Sequence, residues 1–265
     1  MKPSTRVPVL LYHSVRPAPT PGYDAWETSP ARMRAQLDTL DALGYTPVAL
    51  ATYAGWLRGD PGIELPARPV VITFDDGFAN FCDLVPLLVD RGVPVTMFVP
   101  TAYVGGESSW LPREFRRAML TWGQIVDLDR AGIEIGSHAH RHRPVDVLPG
   151  TRLRAEIAQS RDLLAEHLGH PCASFAYPHG YHSHAVCRAV AAAGFAQACA
   201  VKDTLSGPGD DPLAIARLFV GWDDVGARFE RLLSHGHRRP HRHERVVTRG
   251  WRIARRVRSR VDARD

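Results

Sequence analysis

Eight short apolar runs alternate with helix-like segments along nearly the whole of this 265-residue chain. The runs, each β-like, are 7–12, 46–50, 70–74, 94–99, 133–136, 173–177, 197–201 and 215–220. Helices are expected at 30–43, 80–91, 122–131, 152–168 and 184–193. Their ends carry the usual signals. Ser29 is followed by Pro30 at the first helical position. Thr121 and Ser183 open two more helices, and Gly92, Gly132, Gly169 and Gly194 close four. Strand–helix alternation with short connections specifies a parallel sheet covered by helices. Eight strands in one unbroken alternation point to a barrel rather than an open sheet, and barrel chemistry gathers at the C-terminal strand ends. The chain has no G-x-G-x-x-G and no G-x-x-x-x-G-K-[ST], which leaves a nucleotide-phosphate cradle unsupported.

The run Val70-Val71-Ile72-Thr73-Phe74 delivers Asp75 and Asp76 directly into Gly77. Packing gives a buried strand no reason to end that way. Adjacent residues of an extended strand point to opposite sides, so two jobs are expected for the two acids. One would hold a metal and the other would move a proton. The run at 133–136 continues through Ser137 into His138-Ala139-His140-Arg141-His142. A spacing of four puts His138 and His142 on one side of a helix or compact turn. Two imidazoles and one carboxylate match a catalytic metal site with open positions, not a closed structural one. A solvated polar loop would account for the histidines of this His-rich chain but not for the paired acids.

Thr73-Phe74-Asp75-Asp76-Gly77 resembles the first motif of the polysaccharide deacetylases, the NodB-homology or carbohydrate esterase 4 family. His138-Ala139-His140-Arg141-His142 resembles the second motif, and Phe175-Ala176-Tyr177-Pro178-His179-Gly180 falls where the third is expected. The resemblance runs from about 7 to 220. It implies a single distorted (β/α) barrel, usually of seven strands, and removal of N- or O-linked acetyl groups from sugars. Carried over by position, it implies Asp75 as general base, with Asp76, His138 and His142 as ligands of one divalent ion. Zn²⁺ is the first expectation, and Co²⁺ or Mn²⁺ are alternatives. Such an ion lowers the pKa of water from about 16 to about 7 and polarises a carbonyl. Tyr177, Pro178 and His179 are then substrate or oxyanion residues, with a backbone N–H near His179 as the donor; one such donor contributes about 3–4 kcal/mol.

The departures from the pattern carry their own expectations. Ala139 stands where Ser or Thr is usual, which removes a hydroxyl but no ligand. Ala176 stands where an arginine usually orients the base, and Arg217 is the candidate replacement; an ordinary surface arginine is the plainer reading. The last motif, a strand ending in the histidine that serves as general acid, has no convincing copy near the C-terminus. Val9-Leu10-Leu11-Tyr12-His13 has that pattern at the other end of the chain. First and last strands are neighbours in a closed barrel, so the resemblance is to a circularly permuted branch, with His13 as the acid. Trp110, on a glycine-bearing loop, is either a sugar-stacking ring or a loop anchor. His140, His179, His182 and His184 are expected around the cleft rather than on the metal.

The 45% apolar and 23% charged residues fit an ordinary globular chain. Cys82, Cys172, Cys187 and Cys199 lack CxxC spacing and read as buried free thiols. No stretch approaches the ~20 apolar residues of a membrane span, and 7–12 is too short for a signal-peptide core of about 7–15 residues. A cytoplasmic protein is expected. Residues 231–265 carry twelve arginines against three acids, while the whole chain is only +5, so 1–230 is net negative. Two parts are expected: a barrel over 1–230 and a basic helical extension over 231–265. Val247, Trp251, Ala254, Val257 and Val261 form a helical apolar stripe there, which suits an anionic membrane surface. Nucleic acid lacks a recognition motif, and oligomeric state is not legible. The functional expectation is a metal-dependent carbohydrate N-deacetylase. The alternatives are a hydrolase of another amide (a deformylase, or a non-sugar C–N bond) and a catalytically silent glycan-binding relative.

Overall fold

The computed structural model describes residues 6–236. In chain order its strands and α-helices are β1 (Val9–Tyr12), β2 (Ser14–Val15), β3 (Glu27–Thr28), α1 (Pro30–Ala42), β4 (Thr46–Pro47), α2 (Leu50–Arg58), β5 (Pro69–Phe74), α3 (Val85–Asp90), β6 (Val95–Val99), α4 (Trp122–Arg130), β7 (Glu134–Ser137), α5 (Gly150–Leu168), β8 (Ser174–Ala176), α6 (His184–Ala192), β9 (Gln197–Cys199), β10 (Leu218–Phe219) and α7 (Ala227–His235). Seven of the strands pair in parallel in the order β10-β1-β5-β6-β7-β8-β9, and β4 pairs with the start of β5. A parallel bridge between Cys199 and Ile215 ties β9 to the segment that becomes β10. The N-terminal strand β1 therefore lies between the last strand and β5, with Leu10 opposite Leu218 and Val9 opposite Val71.

Strands covered on both sides need apolar residues on both sides. Every residue of β1, β5 and β6 is buried. Alternation along β5 sends Val70, Ile72 and Phe74 into the larger core, shared with the helices. Val71 joins Val9, Phe98, Ala176, Cys199 and Ile215 in a second cluster fed by β1, β5, β6, β8 and β9, which is the barrel interior. Leu50, Tyr53, Ala54 and Leu57 of α2 pack on that cluster.

Several elements differ from the sequence expectation. Only Thr46–Pro47 of the run at 46–50 is strand, and Leu50 opens α2, which was not expected. The helix expected at 80–91 is split into a 3-10 turn, Ala79–Leu84, and the short α3. Pro86 lacks an N–H and suits only a first helical turn, so the α-helix starts there. The run at 215–220 divides its pairing between β9 and β1. The helix α7 buries Phe229, Leu232 and Leu233 and crosses the boundary placed at 230/231. The amphipathic stripe at 247–261 lies outside the described residues. No helix among the described residues is long and apolar enough to cross a membrane. All four cysteines are free.

Candidate active site

The ends of β1, β5, β7, β8, β9 and β10 and two connecting segments, 22–26 and 110–115, converge on a cavity of about 520 Å³ lined by His13, Asp75, Asp76, His138, His142 and His179, among others. Asp75 follows β5, and Asp76 and Gly77 both adopt left-handed backbones (φ 76° and 65°). The expectation that the two acids face apart is corrected here. Alternation would send Asp76 out of the barrel, but the left-handed turn swings it back beside Asp75. A glycine is required next, since a Cβ at Gly77 would crowd Val99 and Pro100.

His138 and His142 lie on an irregular turn after β7, not on a helix, and Ala139 and His142 have positive φ (60° and 51°). His138 Nε2 is 3.5 Å and His142 Nε2 is 3.0 Å from Asp76 Oδ1. One ligand atom from each of these three buried residues lies within 4.8 Å of the others. The donor set fits a divalent ion such as zinc, which favours imidazole and carboxylate. The tautomer fits as well. His138 Nδ1 donates to the Ala176 carbonyl at 2.9 Å, and a carbonyl can only accept, so Nε2 keeps its lone pair for the site. His142 Nδ1 is buried and makes no hydrogen bond.

Behind the trio sits a second buried constellation. Arg217, fully buried, grips Asp75 with two parallel bonds, Nη1–Oδ1 and Nη2–Oδ2, both 2.7 Å. It also reaches the Thr73 hydroxyl and the Ala200 carbonyl. The plainer reading of Arg217 as a surface side chain is thereby excluded. Burial pushes the Asp75 carboxyl up, but the Arg217 guanidinium and His138 outweigh it and hold the pKa below the ordinary value. Burial likewise opposes ionisation of Asp76, and the two imidazoles override it by a wide margin. Burial pushes His13 down, partly offset by Asp76 and Asp75.

The remaining predicted residues divide. His13 lines the cavity against Phe219, ring centroids 5.4 Å apart, and its Nδ1 has no hydrogen-bond partner. His179 lines it with a left-handed backbone (φ 59°) and its ring 4.8 Å from that of His142. Tyr177 and Pro178 are buried but do not line it; the Tyr177 hydroxyl donates to the Leu213 carbonyl at 2.7 Å. Trp110 borders the cavity with its ring stacked on His142 at 4.5 Å, so it braces a candidate ligand. His140 bonds Thr101 through Nδ1 and is apart from the trio. Sequence reasoning missed Tyr23, Trp26 and Phe115, which form one wall of the cavity. Trp26 and Phe115 each end a single 3-10 turn and Tyr23 precedes one, segments too short to carry a readable periodicity.

A sequence model of the family described as polysaccharide deacetylase matches residues 62–198. The Bacillus subtilis protein YxkH is 24% identical over 191 residues, 72% of this chain and 62% of that protein, so the chain spans under two thirds of this relative's length. The structure of IcaB from Ammonifex degensii superposes with a TM-score of 0.73 at 28% identity, covering 83% of this chain and 94% of that one. The Streptococcus pyogenes deacetylase PplD, solved in complex with acetate, shares the fold with a TM-score of 0.73 at 20% identity, covering 87% of this chain and 99% of that one. The matched segment contains Asp75, Asp76, His138, His142 and His179, whereas His13, Trp26 and Arg217 lie outside it.

Proposed function

Because the chain belongs to the polysaccharide deacetylase family, we propose that it is a divalent-metal-dependent hydrolase that removes N-acetyl groups from a carbohydrate. The observation that carries this reading is the buried Asp76–His138–His142 trio set directly beside an Asp75–Arg217 ion pair in one cavity. Asp76, His138 and His142 would hold the ion. Bound there, a divalent cation supplies Lewis acidity toward the acetyl carbonyl and makes water acidic enough to be a nucleophile near neutral pH.

The chain's own groups do the rest. Asp75 takes the proton of the attacking water. Arg217 fixes the carboxylate plane through both oxygens and keeps it ionised at neutral pH. A base of lowered pKa also gives its proton up again readily. His13, which lines the same cavity, is the group assigned to the leaving nitrogen, and packing on Phe219 orients it. The left-handed turn at His179 supplies the backbone N–H assigned to the developing oxyanion. Excluding water from so buried a floor strengthens each of these interactions.

Acetate release is the test. Zinc-supplemented protein is expected to free acetate from acetylated glycans, and a chelator should abolish the activity. Asp75→Asn should cut turnover by about a hundredfold or more while metal stays bound. Loss of metal in Asp75→Asn would mean that the two acids are assigned in the wrong order. Release of formate in place of acetate, or action on a non-sugar amide, would replace the substrate assignment. A protein that bound glycan but released nothing would be the silent relative.

A further inference from the structure

We propose that Asn80 is a positioning residue: its side-chain amide ties the segment that follows His13 to the loop that carries Asp75 and Asp76, and so sets where the proton donor stands relative to the base and the metal ligands. The inference rests on the deacetylase reading above and adds to it a residue that does not itself line the cavity.

Asn80 lies four positions after Asp76, in the 3-10 turn Ala79–Leu84. Its Oδ1 accepts the Val15 N–H at 3.1 Å, and its Nδ2 donates to the Ser14 hydroxyl at 2.9 Å. A backbone N–H can only donate, so the amide fits one way round. The turn is itself fixed against the acids. The Gly77 carbonyl accepts the Leu120 N–H, and the Ala79 N–H donates to the Ala118 carbonyl, both at 2.9 Å. The Phe81 ring packs at 4.8 Å on Phe74, the last residue of β5 before Asp75. Asn80 is thus a rigid arm of the acidic loop.

His13 stands between β1 and β2 and belongs to neither. The bonds that anchor β1 stop just short of it: the Asp75 N–H meets the Tyr12 carbonyl at 2.9 Å, and the Val220 N–H meets the Leu11 carbonyl at 3.0 Å. On its other side, Ser14 and Val15 pair with Glu27 and Thr28, which follow the wall segment 22–26 and not the acidic loop. The imidazole has no orienting carboxylate behind it. Its Nδ1 is buried and makes no hydrogen bond, so backbone position and packing on Phe219 aim the ring. Catalytic groups work only when held within about 0.5 Å of the productive geometry. For His13 that hold passes through Asn80.

The leaving group isolates this role. When the amide C–N bond breaks, the nitrogen must take a proton, the one assigned to His13; a 4-nitrophenolate leaves without one. A misplaced donor therefore slows amide cleavage alone, whereas a disturbed base or cation site slows both.

The test compares full-length zinc-loaded wild type with Asn80→Ala, Asn80→Asp and Ser14→Ala. The substrates are the 1,4- and 1,6-linked N-acetylglucosamine tetramers and 4-nitrophenyl acetate. Asn80→Ala is expected to lower kcat on the tetramer that is turned over by about ten- to hundredfold, the effect of a displacement near 1 Å. Tetramer KM, zinc affinity and the ester rate should stay within about twofold. Asn80→Asp keeps acceptors for the Val15 N–H and the Ser14 hydroxyl and should restore most of the loss. Ser14→Ala keeps the Val15 bond and should show the same selectivity with a smaller loss. Unchanged tetramer kcat, an equal loss on the ester, or weakened zinc binding in Asn80→Ala would overturn the proposal. If Asn80→Ala does not fold, Ser14→Ala decides by the same comparison. Crystal structures of wild type and variant separate this failure from that of the deacetylase reading. If the wild type releases acetate from neither tetramer, that reading falls. A His13 ring displaced in the variant, with Asp76, His138 and His142 in place, would still uphold the tie, and an unmoved ring would overturn it.

Discussion

Arg217 is fully buried, and its charge is matched through both guanidinium nitrogens by Asp75. Breaking a buried pair from one side leaves an uncompensated ion, which costs about 3–5 kcal/mol. Arg217→Ala should therefore destabilise the protein strongly at neutral pH and raise the pKa of Asp75. The sign follows from linkage. Asp75 has a depressed pKa in the folded state, so its contribution is present above the ordinary carboxylate range and lost as pH falls through the folded value. The gap in stability between wild type and Arg217→Ala should narrow as pH is lowered from 7 toward 3, measured by denaturant unfolding. A gap that is constant over that range would mean the pair carries no net charge coupling. The sequence offered Arg217 only as a candidate, because a late strand fixes a residue's chain position and not its spatial partner. Asp75 was easier to read, since nothing in packing explains an acid at the end of an all-apolar strand. Asp76 shows the limit. Its carboxylate reaches the histidines through a left-handed backbone that the following glycine hinted at but did not specify.

At the scale of elements, the turn after β7 depends on its neighbour α5. Glu156 of α5 accepts the Arg141 backbone N–H, and Ser160 shares a hydrogen bond of 2.7 Å with Ser137, whose oxygen in turn accepts the Ala139 N–H at 3.1 Å. These bonds hold the two left-handed residues, Ala139 and His142, that aim the imidazoles. Outer partners of metal ligands typically change affinity by about 10–100-fold. Glu156→Ala should weaken zinc binding within that range in a chelator competition, and Glu156→Gln, which keeps an acceptor, should restore most of it. Equal zinc affinity in all three proteins would show that the turn holds itself. None of this bracing was visible in the sequence, where α5 read simply as a helix with a glycine stop. Helices with caps were legible to within a residue or two. The helix α2 was not, because Leu50 continues an apolar run that also fits a strand, and a run that short does not distinguish the two periods. The 16–26 segment was opaque for a different reason: its order comes from Glu27, Arg117 and ring stacking between distant parts of the chain.

At the scale of the whole fold, the described residues form a distorted parallel barrel whose first strand sits beside its last. That closure brings His13 into the cavity and Arg217, 204 positions away in numbering, into the buried layer behind it, with Asp75 facing both. The alternation of strands and helices made the fold class readable, and the closure made sense of a terminal histidine motif at the wrong end of the chain. Glu134, at the start of β7, adds a second pH dependence of opposite sign. Burial raises its pKa, although the Ser174 and Thr96 hydroxyls partly counter this by donating to the carboxylate. The folded state therefore holds a proton there more tightly than the unfolded chain. Its contribution is complete below the ordinary glutamate value and is lost as pH rises through the raised one. Glu134→Gln should gain stability relative to wild type as pH climbs from 4 to 8, read from thermal midpoints across that range. A difference independent of pH would remove Glu134 from the titration.

On the function proposed above, Asp76, His138 and His142 together hold one divalent cation. Calorimetric titration of metal-free protein with Zn²⁺, repeated for Asp76→Ala, addresses it most directly. One ion per chain is expected for the wild type and loss of that binding in the variant, with the fold retained by circular dichroism. Wild-type protein that took up no zinc, or a variant that bound it equally well, would rule out this trio as the metal site.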